Sequence, residues 1–132
     1  MRIDESSEKP IFLQIAEGIE DAVLSGAFPE EEQIPSITEF SLTCTINPAT
    51  ALKGINILAE GGILYKKRGV GMFVAEGAAE VLRARRRRDF YQKYVQSMVA
   101  EAKRLRLTEG EVKQMVAQGF AAGTPQGRED EV

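Results

Sequence analysis

Three cations, Lys66, Lys67 and Arg68, stand together before Gly69-Val70-Gly71. Adjacent fixed positive charges on a glycine-hinged tip suit phosphate oxygens, not bond-breaking chemistry. Upstream, Ser36, Thr38, Asn47, Ala49, Thr50 and Lys53 cluster around two places where helices are expected to begin. Their hydroxyl, amide and ammonium groups can donate to phosphates or base edges. Catalytic chemistry has few carriers here. Histidine is absent, which removes the usual general base at neutral pH and the usual metal ligand. No nucleophile motif or metal-spaced cysteine cluster occurs. Gly69-Val70-Gly71 does not sit between a strand and a helix, as a dinucleotide site requires. The sequence implies binding without catalysis, and neither a cofactor nor a metal.

The elements that must position these groups are written into residues 36–74. Ser36 with Glu39 has the spacing of a capping box, in which hydroxyl and carboxylate each satisfy a first-turn amide. Asn47-Pro48 is a second start: Asn is a strong N-cap, and Pro loses nothing at the first helical position. One helix is predicted from Ile37 to about Thr43, burying Ile37, Phe40 and Leu42. A second is predicted from Pro48 to about Glu60, burying Ala51, Gly54, Ile55 and Leu58. Gly54 is expected where two helices approach closely. Helix, tight turn and helix make a helix-turn-helix. Gly61-Gly62 leads into a strand-like Ile63-Leu64-Tyr65, a tip at Lys66 to Gly71, and a strand Met72-Phe73-Val74. A helix-turn-helix followed by a hairpin is a winged helix, and the segment is read as a unit for double-stranded DNA. Asn47 is read as a cap before a base reader; Thr50 and Lys53 are read as phosphate or base contacts. Leu52 and Ile57 fit no wetted face, and could meet thymine methyls, a neighbouring helix or a partner chain.

The chain has 132 residues, enough for one domain or a small domain with an appendage. Residues 1–9 are expected as a loose tail, residues 10–76 as the winged helix, 77–122 as a helical region and 123–132 as a disordered tail. Pro10 opens a helix to about Ser25, and Phe28 is expected to anchor in the core. No apolar run is long enough for a bilayer. The acidic N-terminus is unlike a signal peptide, and one cysteine, Cys44, fits a reducing cytosol. A cytoplasmic protein, nucleoid-associated when on DNA, is expected. Net charge is −3, distributed unevenly: residues 1–79 hold 6 Lys/Arg against 12 Asp/Glu, and residues 80–132 hold 11 against 8. From Ser41 to Ala75, however, Lys53, Lys66, Lys67 and Arg68 face only Glu60.

Beyond Gly77 an apolar stripe runs through Val81, Leu82, Tyr91, Tyr94, Val95, Met98, Val99, Ala102 and Leu105. Thr108 with Glu111 begins a last helix, to about Phe120, that carries Val112, Met115 and Val116. Such a stripe must be covered. Either a second copy covers it, giving a homodimer through residues 80–122, or it folds back on the winged helix. Tyr91, Tyr94, Met98 and Met115 either line a pocket for a small, largely apolar or polyol-like effector or are plain core. The arginines from Arg83 to Arg88 spread around their helix. They either answer the acidic N-terminal region or touch flanking DNA.

With these residues in place the chain resembles the GntR superfamily of bacterial transcription regulators, and within it the YtrA-type branch. The resemblance covers about Lys9 to Glu76. It is carried by Pro10-Ile11-Phe12 with Gln14-Ile15, by Ile34-Pro35-Ser36, by Asn47-Pro48-Ala49-Thr50, by Leu58 with Glu60-Gly61-Gly62, and by Gly69-Val70-Gly71 with Phe73-Val74. A short two-helix C-terminal region also fits that branch. The resemblance implies a dimeric repressor on an inverted-repeat operator, in this branch often that of a membrane-transporter operon. It implies a phosphate-contacting Ser36, DNA contacts from Thr50 and Lys53, and a wing shaped by Gly69 and Gly71 along the minor groove. Thr38 stands where the family generally has Arg, Ala49 where it has Asn, and Glu31 or Glu32 where it has Gly. A protein-interaction module that no longer binds specific DNA is the other reading of those departures.

Overall fold

Pro10 begins the first helix by surrendering an amide that has no partner there. In a computed structural model describing residues 1–123, α1 spans Ile11–Ser25 and ends at Gly26, whose φ of 88° is left-handed. Ile15, Ala16, Ile19 and Val23 fall on one face and are buried. The chain divides into two units, Met1–Arg87 and Arg88–Val132. The expected terminal tail lies, from Thr124 on, outside the described residues.

Both caps of the helix-turn-helix form. α2, Ile37–Cys44, starts from Ser36, whose hydroxyl accepts from the Glu39 amide at 3.1 Å while the Ser36 amide donates to Glu39 Oε1 at 2.6 Å. α3, Pro48–Glu60, starts from Asn47, whose Oδ1 accepts from the Ala49 amide at 2.7 Å. α3 buries Ala51, Gly54, Ile55 and Leu58, the face read from spacing. Phe40 is buried on α2, but Leu42 is 77% exposed, against expectation. Two residues turn a helix by about 200°, so Leu42 points away from the face that holds Phe40.

Gly54 is where α1 and α3 meet. A Cβ there would lie 2.7 Å from the Phe12 carbonyl oxygen and 3.1 Å from Ile15 Cγ2. Gly54→Ala would gain about 1 kcal/mol of helix propensity, but overpacking against a backbone oxygen costs about 1–3 kcal/mol. The expected result is a lower urea midpoint. A higher midpoint would show that the two helices can separate at no cost.

β1, Leu64–Lys67, pairs antiparallel with β2, Gly71–Val74, so that Lys66 faces Met72 and Lys67 faces Gly71. Lys66 and Lys67 therefore belong to the strand, with Lys67 also opening the turn. The turn is shorter than its basic run suggests because pairing continues to Gly71. Residues 31–34 lie along the other edge of β2: Ile34 donates to Met72 O at 2.9 Å, Val74 to Glu32 O at 3.1 Å, and Gln33 bridges Phe73.

α4, Ala78–Phe90, places Ala78 and Leu82 in the core of the first unit at 1% and 0% exposure. This is why that unit runs to Arg87 and not to residue 76. Val81, expected in the stripe, is 48% exposed. Residues 1–9, expected to be loose, lie against α1. Ile3 packs on the core, Asp4 N–H donates to Gln14 Oε1 at 2.7 Å, and Lys9 pairs with Glu17 at 2.7 Å. Phe28 is half-buried against the core, as is Cys44.

In the second unit a π-helical turn, Tyr91–Val95, precedes α5, Gln96–Arg104. α6, Glu109–Ala122, follows a complete capping box of Thr108 and Glu111. No helix among the described residues is long and apolar enough to cross a membrane.

Candidate nucleic-acid interface

The predicted DNA-facing groups fall at the starts of α2 and α3 and on the wing. Ser36, Thr38, Asn47 and Ala49 are exposed, and Thr50 is half-buried. Ser36 and Asn47 both spend an acceptor on their caps, so the capping role expected of Asn47 is seen directly. Lys53 is exposed, with its ammonium 4.0 Å above the centre of the Phe12 ring. The ring face holds the cation in place without neutralising its charge.

The wing is built with equal economy. Lys67, Arg68, Gly69 and Val70 form a turn closed by the Val70 amide to Lys67 O at 2.9 Å. Gly69, at its third position, has φ 77°, which a residue with a side chain adopts only under strain. Gly71 has φ 146°, and a Cβ there would lie 2.4 Å from Gln33 Nε2. That amide nitrogen donates to Val70 O at 2.9 Å, so Gln33 braces the tip from outside the hairpin. Lys67 Nζ lies 4.2 Å above the Phe73 ring, which stacks on Tyr65 at 5.9 Å. None of Lys53, Lys66, Lys67 and Arg68 pairs with a carboxylate among the described residues.

The acidic run that precedes α2 has structural work. Glu30 accepts from the Gly77 and Ala79 amides at 2.9 and 3.2 Å, capping the start of α4. Those two amides hold its carboxyl below the usual carboxylate range. Glu31 has φ 67°, a conformation glycine takes without strain. Its carboxylate accepts from the Tyr65 hydroxyl at 2.8 Å, and this bond holds the Tyr65 pKa above its ordinary value. The roles of Phe12, Gln33, Glu30 and Glu31 in bracing the site were not read from the sequence. Each acts through a partner far along the chain, and only the positive φ at Glu31 had a signal, the glycine expected there.

The arginines of α4 answer the acidic face of α1. Arg86 pairs with Glu20 at 3.1 Å and Asp21 at 3.0 Å, and Arg85 reaches Glu20 at 3.9 Å. Arg83 and Arg87 turn to Glu80. This favours the electrostatic role over contact with flanking DNA.

The second unit holds an apolar cleft of about 530 Å³ between α5 and α6. Met98, one of the four residues read as pocket lining, borders it together with Val95 and Ala102 of the stripe. Tyr91, Tyr94, Leu105 and Met115 do not, and are 62%, 56%, 60% and 50% exposed. The π turn explains part of the difference: one extra residue in a turn rotates what precedes it by about 100° away from the regular stripe.

The chain is 32% identical over 108 residues to YhcF, an uncharacterised HTH-type transcriptional regulator of Bacillus subtilis strain 168; the match covers 80% of this chain and 86% of that protein. It is 30% identical over 82 residues to the HTH-type transcriptional repressor YtrA of the same strain, covering 62% of this chain and 63%, just under two thirds, of YtrA. A solved structure of a putative GntR-family transcriptional regulator from Bacteroides thetaiotaomicron matches with a TM-score of 0.68 and 31% identity, over 86% of this chain and 99% of that one. No protein-family model matches the chain.

Proposed function

Since the chain belongs to the GntR family of transcriptional regulators and is a DNA-binding regulator rather than an enzyme, we propose that it is a cytoplasmic homodimeric repressor of an inverted-repeat operator. α3 enters the major groove, and the wing lies along the minor groove. The observation that carries this reading is the set of four cations on α3 and the wing. Lys53 and Lys67 are oriented by aromatic faces, and all four lack an acidic partner among the described residues. The second unit supplies the dimer contact through its exposed apolar side chains. The cleft between α5 and α6 takes a small, mainly apolar effector whose binding changes operator affinity.

Fluorescence anisotropy on DNA upstream of the protein's own gene, at several salt concentrations, tests this. Lys53→Ala and Arg68→Ala should each weaken binding and lower the log–log salt slope by about 0.9, the signature of one lost phosphate contact. Dimer mass should not change. Unaltered affinity and slope in both variants would favour the protein-interaction module.

A further inference from the structure

We infer that α3 reads A·T base pairs, with Ala49 and Leu52 against thymine methyl groups and Asn56 against adenine. The inference rests on the DNA-binding reading above. In a helix-turn-helix the second helix meets base edges with its N-terminal residues. On α3, Ala49, Leu52, Lys53 and Asn56 are exposed and line a shallow groove of about 390 Å³. The inner face of the helix is already filled, with Ala51, Ile55 and Leu58 at 0%, 1% and 2% exposure. Leu52, at 42%, is therefore not a core residue of this unit.

Two of the polar groups beside it have other work, and half-buried Thr50 lies on the adjoining face. The side-chain oxygen of Asn47 caps the helix, and Lys53 stands over Phe12 as a point charge suited to phosphate. The groove's remaining lining residues, Ile57 and Glu60, lie further from the helix N-terminus; ahead of them the side chains left for bases on this face are a methyl, an isobutyl and one carboxamide. The major groove offers one apolar group, the thymine C5 methyl, and a carboxamide pairs in bidentate fashion with adenine N6 and N7. Ala49, Leu52 and Asn56 are spaced three and then four residues apart, hence on one face. They span about 10 Å of helix axis, close to three base steps of about 3.4 Å. Each half-site is therefore expected to centre on a short A·T run.

The test is selection of sites from a random duplex library by the full chain, followed by anisotropy on the selected duplex with each thymine replaced in turn by uracil. Uracil lacks only the methyl. The expected result is A·T pairs at matching places in both half-sites and about a fourfold loss for each contacted methyl removed. Leu52→Ala should abolish the penalty at one thymine and leave the salt slope unchanged; because Leu52 is surface-exposed the variant should melt like the parent. Asn56→Ala should relax the choice of base at the adenine. Specific sites with G·C at those places, or sites indifferent to uracil, would overturn the inference while leaving DNA binding intact. No enriched sequence at all would bring down both, and would point to a protein partner for this apolar face.

Discussion

A chain carrying Tyr94→Glu and Met115→Glu is expected to run as a monomer and to bind its operator at least about a hundredfold more weakly than the parent. The second unit motivates this. Among its described residues only Ala102 is buried, while Tyr91, Tyr94, Leu105, Met115 and Phe120 are each half exposed or more. Two helices with so small an interior cannot offset the entropy of ordering them, and contiguous exposed apolar surface marks an interface. Two linked half-site contacts exceed either alone by about 10²–10⁴ through effective concentration, and separating them forfeits that factor. Neither side chain lines the cleft between α5 and α6, so helix content should survive the change. Light scattering gives the mass and anisotropy the affinity. A parent that is already monomeric, or a double variant that stays dimeric, would remove residues 88–122 from the interface.

Leu82→Ala should cost about 2–5 kcal/mol, the range for truncating a fully buried leucine. Leu82 is 0% exposed and sits one turn beyond Ala78, at 1%. Arg86 on the same helix pairs with Glu20 and Asp21 of α1. A small domain has about 5–15 kcal/mol in all, so a large part would go with one side chain. Urea unfolding of the full chain measures it. A change below about 1 kcal/mol, the scale of a surface substitution, would mean that α4 is an appendage to the winged helix and not part of its core.

What could be read from the residues was local chemistry. Ser36 with Glu39, Asn47-Pro48 and Thr108 with Glu111 signal helix starts within four residues, and all three caps form. Gly54 advertised a close approach because glycine is costly inside a helix, and Phe12 O is the atom it makes room for. The partners supplied by distant segments were not legible. Nothing adjacent to Gln33 shows that it will hold Val70 O, 37 residues on. Leu82 was read as part of the stripe beyond Gly77, whereas it fills the core of the first unit and carries that unit past residue 76. The regular apolar stripe hid the π turn at Tyr91–Val95, since spacing arguments assume an unbroken 3.6-residue period. Leu52 was noticed as a misfit, and only the filled inner face of α3 shows that it belongs outside.

The carboxylate of Glu30 bears on how such regulators can be recombined. It caps α4 from a loop that precedes the helix-turn-helix, across 47 residues to Gly77 and 49 to Ala79. The start of α4 is thus not detachable from the winged helix. Grafted behind another winged helix, residues 78–122 would start on a helix stripped of its acceptor, and of the Glu20 and Asp21 partners that hold Arg86. A working chimaera would need an acid at the host position matching Glu30, or a crossover point placed upstream of it.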